Sequence, residues 1–201
     1  MTNVVFDVGK VLLRWEPFAL LDALIGEDEA KRADFRESVD FIAFHTEHDR
    51  GRPIAAQAAV AAEHYPDHAG VLMAFYDRWL DSIPGPIEGS VAILERLHAA
   101  DVPLFAITNF AAEQWDKTVP AYPFLTRFRD VVVSGREGLL KPDPAIYRLL
   151  FERNDLAAGD CVFIDDNPDN VAAASGLGMD AHLFERPDRL AEWLAERGLP
   201  V

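Results

Sequence analysis

The feature that most constrains the fold is a regular alternation of short apolar segments with amphipathic segments, interrupted only by residues 14–83. The apolar segments are rich in β-branched residues and predict buried strands, whereas the amphipathic segments predict helices. Such alternation is typical of an α/β fold, and we predict a three-layer α/β/α doubly wound parallel sheet. The predicted strands cover residues 4–8, 102–107, 131–133, 162–164 and 181–183, and the predicted helices cover residues 90–100, 111–119, 145–153, 168–175 and 188–197.

Residues 14–83 contain several helical patterns and no clear strand. Pro84 and Pro86 mark the point where the alternation resumes, because neither proline continues a helix. We therefore predict a helical cap domain at residues 14–83, inserted into a core domain formed by residues 1–13 and 84–201. The helical patterns within the predicted cap cover residues 18–25, 29–39, 55–65 and 71–80.

Composition and charge narrow the classes of function. The chain has 34 acidic and 19 basic residues and a net charge of −15, which disfavours a nucleic-acid partner. No apolar run reaches the roughly 18 residues of a membrane span, and no signal-peptide pattern opens the chain. Cys161 is the only cysteine, so no intrachain disulfide forms, and we expect it to be buried. We expect a cytoplasmic protein without nucleic-acid or membrane partners, and its oligomeric state stays unknown at this stage.

Polar side chains follow three of the predicted strands, and a lysine precedes a predicted helix. Ligands of open α/β sheets bind beyond the carboxyl ends of the strands, so we expect chemistry at these positions. A turn or a helix cap explains the polar residues after the strands when each is taken alone, and a solvated charge explains Lys141, but neither explains their joint occurrence in this order. The residues are Asp7 and Gly9 after the first strand, Thr108 and Asn109 after the second, Lys141 before the helix at 145–153, and Asp165 and Asp166 after the fourth strand.

The three aspartates of this set predict a bound cation. Carboxylates gathered at one place repel each other, so Asp7, Asp165 and Asp166 require a cation or protonation. Mg²⁺ prefers oxygen ligands and commonly binds one or two carboxylates together with a substrate phosphate. A carboxylate beside such a cation can attack phosphorus and form an aspartyl-phosphate. Lys141 and Thr108 fit as a positive charge and a hydrogen-bond donor for the phosphoryl oxygens.

In this order and context, the four segments resemble the signature motifs of the haloacid dehalogenase (HAD) superfamily. The resemblance covers nearly the whole chain, including the helical cap after the first motif. It implies an Mg²⁺-dependent phosphatase that acts on a small phosphorylated metabolite through an aspartyl-phosphate intermediate. The roles that it implies are Asp7 and Lys141 as catalytic residues, Thr108, Asn109 and Lys141 as phosphate-binding residues, and Asp7, the Gly9 carbonyl, Asp165 and Asp166 as metal ligands.

One position departs from the pattern of most phosphatases in this superfamily. They carry a second aspartate two residues after the nucleophile as general acid, and Gly9 occupies that position here. The chain is similar to a bacterial subgroup that includes α-glucose-1-phosphate phosphatase and has Asp-x-Gly-Asn-Val, with Lys10 replacing the asparagine, and this favours a sugar phosphate as substrate. Two alternatives stay open. One is a metal-free 2-haloacid dehalogenase, against which the Asp165–Asp166 pair argues, and the other is a non-catalytic binding protein with this fold.

Residues 44–51 form the densest cluster of titratable side chains in the predicted cap. A histidine of this cluster can donate a proton near neutral pH, which Gly9 cannot. The interpretation that we favour from sequence alone is simpler: these are solvated residues at the end of a helix. The residue that replaces the missing general acid therefore stays open, and we expect Trp15 to pack within the cap.

Overall fold

The computed structural model describes residues 2–201 and confirms the predicted α/β fold with a three-layer arrangement. Within these residues, five strands form one sheet: β1 (Asn3–Phe6), β2 (Leu104–Thr108), β3 (Asp130–Val133), β4 (Cys161–Asp165) and β5 (Asp180–Leu183). The strand order is β3-β2-β1-β4-β5, and every neighbouring pair is parallel. The predicted strand positions are confirmed, with shifts of one or two residues at their ends.

The same residues form eleven α-helices, which cover both faces of the sheet and fill the stretch between the first two strands. They are α1 (Pro17–Ile25), α2 (Glu29–Ser38), α3 (Phe41–Asp49), α4 (Ile54–His64), α5 (Ala69–Asp77), α6 (Glu88–Ala99), α7 (Ala112–Ala121), α8 (Ser134–Glu137), α9 (Pro144–Asn154), α10 (Pro168–Gly176) and α11 (Pro187–Ala195). Short 3₁₀ helices lie at Trp79–Ser82, Pro123–Arg127 and Ala158–Asp160. Every helix among residues 2–201 is too short or too polar to cross a membrane.

The apolar core is divided by the sheet into two layers. Successive side chains of a strand point to opposite faces, so Val4 and Phe6 pack in one layer and Val5 packs in the other. Leu94 of α6 belongs to the first layer and Ile146 of α9 to the second. Strands buried on both faces have continuous apolar sequences, which explains why the strand segments were recognisable.

The predicted helices agree with the structure less closely than the predicted strands do. The prediction of a helix at 145–153 is confirmed, with Asp143 capping α9 through a bond from the Ala145 amide at 2.9 Å and Pro144 in the first turn. The predicted helix at 71–80 is wrong at both ends, because α5 begins two residues earlier and the chain tightens into a 3₁₀ turn at Trp79. Helix α3 was not predicted, and its Asp40 side chain caps it by accepting from the Ala43 amide at 3.0 Å.

Helices α1 to α5 lie between β1 and α6, and the described residues of this stretch contain no strand. The two chain segments that enter and leave it run side by side, where Leu13 pairs with Pro86 and the Arg14 amide donates to the Gly85 carbonyl at 2.9 Å. This close pairing is consistent with a cap inserted at that point. The division into a core of residues 1–13 and 84–201 and a cap of residues 14–83 stays a prediction.

Candidate active site

The carboxyl ends of β1, β2 and β4 open into a cleft with a volume of about 260 Å³. The order of the strands along the chain reverses beside β1, which is where open α/β sheets bind ligands. Both Thr108 and Asp165 are buried beneath the cleft, with exposed fractions of 1% and 0%. The other five residues of the predicted site line the cleft: Asp7, Gly9, Asn109, Lys141 and Asp166.

Asp7 directly follows the central strand and is held in place by its backbone and its side chain. Its amide donates to the Ile164 carbonyl at 2.8 Å, which extends the pairing of β1 with β4. Its Oδ1 accepts from the Val8 amide at 2.6 Å and lies 2.9 Å from Lys141 Nζ. Burial raises the pKa of Asp7 to about 7, and the charges of the two neighbouring aspartates add to this effect, whereas Lys141 opposes it. The carboxyl group thus lies in a site with excess negative charge.

The ammonium group of Lys141 lies between two carboxylates. Its Nζ is 2.9 Å from Asp7 Oδ1 and 2.7 Å from Asp165 Oδ2. Burial lowers the pKa of Lys141, but the charges of the two aspartates and their hydrogen bonds outweigh it, and the pKa is raised. Lys141 therefore stays positively charged although its side chain is almost completely buried.

Asp165 is engaged by the protein through both carboxylate oxygens. Its Oδ1 accepts from the Asn167 amide at 2.8 Å, and the Asn170 side-chain amide lies 3.0 Å from Oδ1 and from Oδ2. Asn170 was not among the predicted site residues, so the prediction missed this contact. The available signal was the position of Asn170 in the first turn of α10, which begins shortly after the end of β4.

Asn109 connects the loop after β2 with the loop before α9. Its Nδ2 donates to the Lys141 carbonyl at 3.0 Å, and its Oδ1 accepts from the Lys141 amide at 2.8 Å. These two bonds position the backbone of Lys141 while Asn109 also faces the cleft. Thr108, the last residue of β2, is buried next to it.

Asp7, Asp165 and Asp166 each offer a carboxylate oxygen within 4.8 Å of the others. Burial raises the pKa of Asp166, and the charge of Asp165 adds to this, with Lys10 and Lys141 opposing it. No group of residues 2–201 donates a hydrogen bond to the Gly9 carbonyl oxygen. The site therefore holds several oxygen atoms whose charge or lone pairs lack a partner within the protein.

The interpretation of residues 44–51 as solvated is wrong for the two histidines, whose exposed fractions are 4% for His45 and 2% for His48. Helix α3 packs its histidines inward, and the His45 ring stacks on Trp15 at 5.4 Å and on Trp79 at 5.6 Å between ring centroids. Burial lowers the pKa of His45 to about 4, so its ring is neutral at neutral pH. The side chains of His45 and Asp49 line the cleft, which sequence reasoning did not establish.

Part of the cleft lining is apolar, since Trp15 and Ile42 contribute to it. Trp15, expected to pack within the cap, lines the cleft beside His45, and the Lys10 ammonium is 5.8 Å from its ring centroid. A small extension of about 60 Å³ adjoins the cleft and shares Gly9, Trp15, His45, Asp49 and Asn109 with its lining. Its remaining lining is mostly apolar: Leu13, Trp79, Ile83 and Phe110.

The structure thus brings Asp7, Lys141 and the Asp165–Asp166 pair together at one edge of the parallel sheet. The chain belongs to the haloacid dehalogenase-like hydrolase family, whose model matches residues 1–178. This match confirms the resemblance to the superfamily, whereas the bacterial subgroup with Asp-x-Gly-x-Val stays a prediction.

Several characterised proteins are similar to parts of this chain. Drimenol cyclase drtB of Aspergillus calidoustus is 32% identical over 103 residues, which are 48% of this chain and 20% of that protein. Flavin mononucleotide hydrolase 1 of Arabidopsis thaliana is 32% identical over 116 residues, 57% of this chain and 46% of that protein. The chain thus spans less than half the length of these two relatives. Sesquiterpene phosphatase astK of Aspergillus oryzae is 24% identical over 182 residues, 87% of this chain and 85% of that protein.

Solved structures share the fold over nearly the full chain. A predicted HAD-like family hydrolase of Porphyromonas gingivalis superimposes with a TM-score of 0.76 at 20% identity, covering 98% of this chain and 97% of that one. A HAD family enzyme of Bacteroides thetaiotaomicron, in complex with magnesium and inorganic phosphate, has a TM-score of 0.72 at 16% identity, covering 92% and 95%. L-2-haloacid dehalogenase of Xanthobacter autotrophicus has a TM-score of 0.65 at 16% identity, covering 99% and 84%. At these identities the likeness establishes the fold alone.

Proposed function

We propose that this chain is an Mg²⁺-dependent phosphomonoesterase that hydrolyses a small phosphorylated metabolite through an aspartyl-phosphate on Asp7. The observation that carries the proposal is the gathering of Asp7, Asp165 and Asp166 within 4.8 Å of one another around the ammonium of Lys141. Relatives named flavin mononucleotide hydrolase and sesquiterpene phosphatase add support from sequence.

The chemistry of the donor set fits Mg²⁺. Three carboxylates and one ammonium leave a formal charge of −2. Burial raises the pKa values of Asp7 and Asp166, and the charges of the neighbouring aspartates add to this effect. The Gly9 carbonyl is available, and the buried Asn170 Oδ1 has no hydrogen-bond donor among residues 2–201. Oxygen ligands of this kind are those that Mg²⁺ prefers. We assign Asp7, the Gly9 carbonyl and Asp166 as its ligands, with Asp165 as a fourth, more indirect one.

When bound, Mg²⁺ supplies positive charge that offsets the negative charge of the carboxylates and of the phosphoryl group. The protein itself orients the nucleophile, because two donors fix Oδ1 of Asp7 and leave Oδ2 to attack phosphorus. Lys141 and the Thr108 hydroxyl bind the phosphoryl oxygens, and Asn109 contributes by fixing the Lys141 backbone. Water then hydrolyses the aspartyl-phosphate and restores Asp7.

We propose a sugar phosphate or a related small metabolite as the substrate. The cleft of about 260 Å³ has room for a phosphoryl group and a small leaving group. Lys141 and a cation held by the carboxylates suit the phosphoryl end, and Trp15, which also lines the cleft, suits the C–H face of a sugar ring. The names of the relatives add flavin mononucleotide and sesquiterpenyl phosphates as the compounds to compare.

The alternative of a metal-free 2-haloacid dehalogenase is less well supported, although the fold is shared with such an enzyme. A halide leaves without a proton, which would fit Gly9. A carbon–halogen hydrolase that needs no metal, however, has no cation to offset the repulsion between Asp166 and the neighbouring carboxylates.

A phosphate-release screen separates these functions. The purified chain is incubated with sugar phosphates, flavin mononucleotide, farnesyl phosphate and 2-chloropropionate, each with Mg²⁺ and with EDTA, and phosphate or chloride is measured. We expect phosphate release that requires Mg²⁺ and is abolished in Asp7→Asn, a variant of nearly the same volume that retains the fold. Chloride release in EDTA without any phosphate release would contradict the proposal.

A further inference from the structure

The absence of a side chain at Gly9 leaves an open space in the cleft. A Cβ atom built at Gly9 has no heavy atom within 4 Å. An alkoxide is a poor leaving group unless its oxygen is protonated. A general acid that reaches this space therefore speeds the hydrolysis of alkyl phosphates. The donor must then come from another element of the fold.

Helix α3 carries four titratable side chains near the cleft, and their positions exclude two of them. His48 lies against a different pocket, where its Nδ1 is 2.6 Å from the Arg52 carbonyl oxygen. Glu47 is 41% exposed and pairs with Arg50 and Arg52 on the surface. The side chains of His45 and Asp49 remain, and both line the cleft and its apolar extension together with Gly9.

Burial has opposite consequences for these two side chains. His45 is neutral at neutral pH, because burial lowers its pKa to about 4, so it holds no imidazolium proton to give. Burial raises the pKa of Asp49 to about 7, with a smaller opposing effect from His48 and from the Ala111 backbone. A carboxyl group that is partly protonated near neutral pH is a suitable general acid. Asp49 is therefore the better proton donor of the two.

The backbone of Asp49 is fixed to the core of the molecule. Ser134 Oγ donates to the Asp49 carbonyl at 2.6 Å and accepts from the Phe110 amide at 2.8 Å. The Asp49 side chain is 14% exposed, and its Oδ1 lies 3.6 Å from His45 Nε2. The Ser134 bond fixes the backbone at the end of α3, and the Asp49 carboxyl group lies beside His45 at the cleft.

On the basis of the proposed function, we propose that Asp49 is the general acid and base that replaces the aspartate missing at Gly9. In the first step, an Asp7 oxygen forms a bond to phosphorus, the ester P–O bond breaks, and the leaving oxygen takes the Asp49 proton to depart as an alcohol. In the second step, the Asp49 carboxylate accepts a proton from water as the water oxygen bonds to phosphorus. The P–O bond to Asp7 then breaks, which releases inorganic phosphate and leaves Asp49 protonated for the next cycle.

The test is a plot of log kcat/KM against leaving-group pKa for aryl and alkyl phosphates in the presence of Mg²⁺. Wild type should show a shallow slope. Asp49→Asn should lose about 10²- to 10⁴-fold on alkyl phosphates and far less on 4-nitrophenyl phosphate, which steepens the slope. The matched control is Glu47→Gln, which removes a carboxylate of the same helix that does not face the cleft, and its slope should equal that of wild type.

A double variant distinguishes a proton-transfer role of Asp49 from a purely structural one. Gly9→Asp combined with Asp49→Asn should recover kcat/KM on alkyl phosphates, because the space at Gly9 accepts a side chain. An equal loss on all substrates in a folded Asp49→Asn would overturn the role of Asp49. If Asp49→Asn does not fold, Gly9→Asp is tested in the wild-type background instead. A shallow wild-type slope that Gly9→Asp leaves unchanged supports the proposal. A steep wild-type slope that Gly9→Asp flattens overturns it. Wild type without activity on any phosphate in the series would overturn the proposed function and, with it, this role.

Discussion

Asp165 and Asp166 are neighbours in sequence but have different surroundings. Asp165 is fully buried and accepts hydrogen bonds on both oxygens, one of them from Lys141 at 2.7 Å. Asp166 faces the cleft and has a pKa raised mainly by burial. The first carboxylate is thus tied to the fold, and the second is available to a ligand.

We expect Asp165→Asn to lower the free energy of unfolding by about 3 kcal/mol, because it leaves the buried Lys141 charge with one partner fewer. Asp166→Asn should leave the metal-free protein as stable as wild type or slightly more stable, since it relieves repulsion. Urea denaturation in EDTA measures both values. Equal destabilisation of the two variants would contradict the separate roles.

The same two variants should also differ in their affinity for Mg²⁺, and here Asp166→Asn should show the larger effect. Asp166→Asn should weaken Mg²⁺ binding more than Asp165→Asn does, because Asp166 is the direct ligand in our assignment. Isothermal titration calorimetry with Mg²⁺ alone measures the affinities. An Asp166→Asn protein that binds Mg²⁺ as tightly as wild type would remove Asp166 from the metal site.

At the scale of secondary-structure elements, helix α3 is attached to the core through Ser134, which bonds to the Asp49 carbonyl and the Phe110 amide. We expect Ser134→Ala to cost about 1–3 kcal/mol of stability, because it leaves buried polar groups without partners. It should also lower kcat/KM, since α3 carries side chains of the cleft. Urea denaturation and phosphate release measure the two effects.

Ser90→Ala is the matched control for this change. Ser90 is as buried as Ser134, but its hydroxyl has no hydrogen-bond partner among residues 2–201. Its replacement should therefore leave both stability and kcat/KM close to the wild-type values. A Ser134→Ala protein that behaves like Ser90→Ala would show that the bond to Asp49 does not hold the helix in place.

The elements that could be predicted from sequence are those whose pattern arises locally. The strands β1 and β4 are apolar runs that lead directly to Asp7 and Asp165, so the meeting of these two residues at one sheet edge follows from parallel pairing. Helix α3 was missed because His45 and His48 are titratable side chains on its buried face, which removes the usual amphipathic contrast. The contact of Ser134 with Asp49 joins residues 85 apart in the chain, and no local pattern encodes it.

At the scale of the whole molecule, stability and metal binding are linked through pH. The folded-state pKa of Asp7 is about 7, above its ordinary value of 3.8. The folded state therefore binds this proton more tightly than the unfolded state does. The stability that this proton contributes is fully present below pH 3.8 and is lost as the pH rises through 7 in the absence of metal. Mg²⁺ binds the deprotonated carboxylates, so it should restore stability over the same range.

We accordingly expect Mg²⁺ to raise the thermal midpoint more at pH 8 than at pH 5. At 100 times the dissociation constant, the stabilisation at pH 8 should be about 2.7 kcal/mol. Thermal unfolding with Mg²⁺ and with EDTA at both pH values measures the effect, and Asp166→Asn serves as the control for ions bound elsewhere. An Mg²⁺ effect of equal size at the two pH values would contradict the linkage.

The measurement that tests the central claim most directly is chemical trapping of the intermediate. Wild type is acid-quenched during turnover of an active phosphate ester with Mg²⁺ and treated with borohydride, which reduces an acyl phosphate to an alcohol. Peptide mass spectrometry should then find homoserine at position 7 in wild type, and aspartate there when EDTA is present or substrate is omitted. Unmodified Asp7 in samples that are actively releasing phosphate, or an acyl phosphate on another residue, would contradict the assignment of Asp7 as the nucleophile.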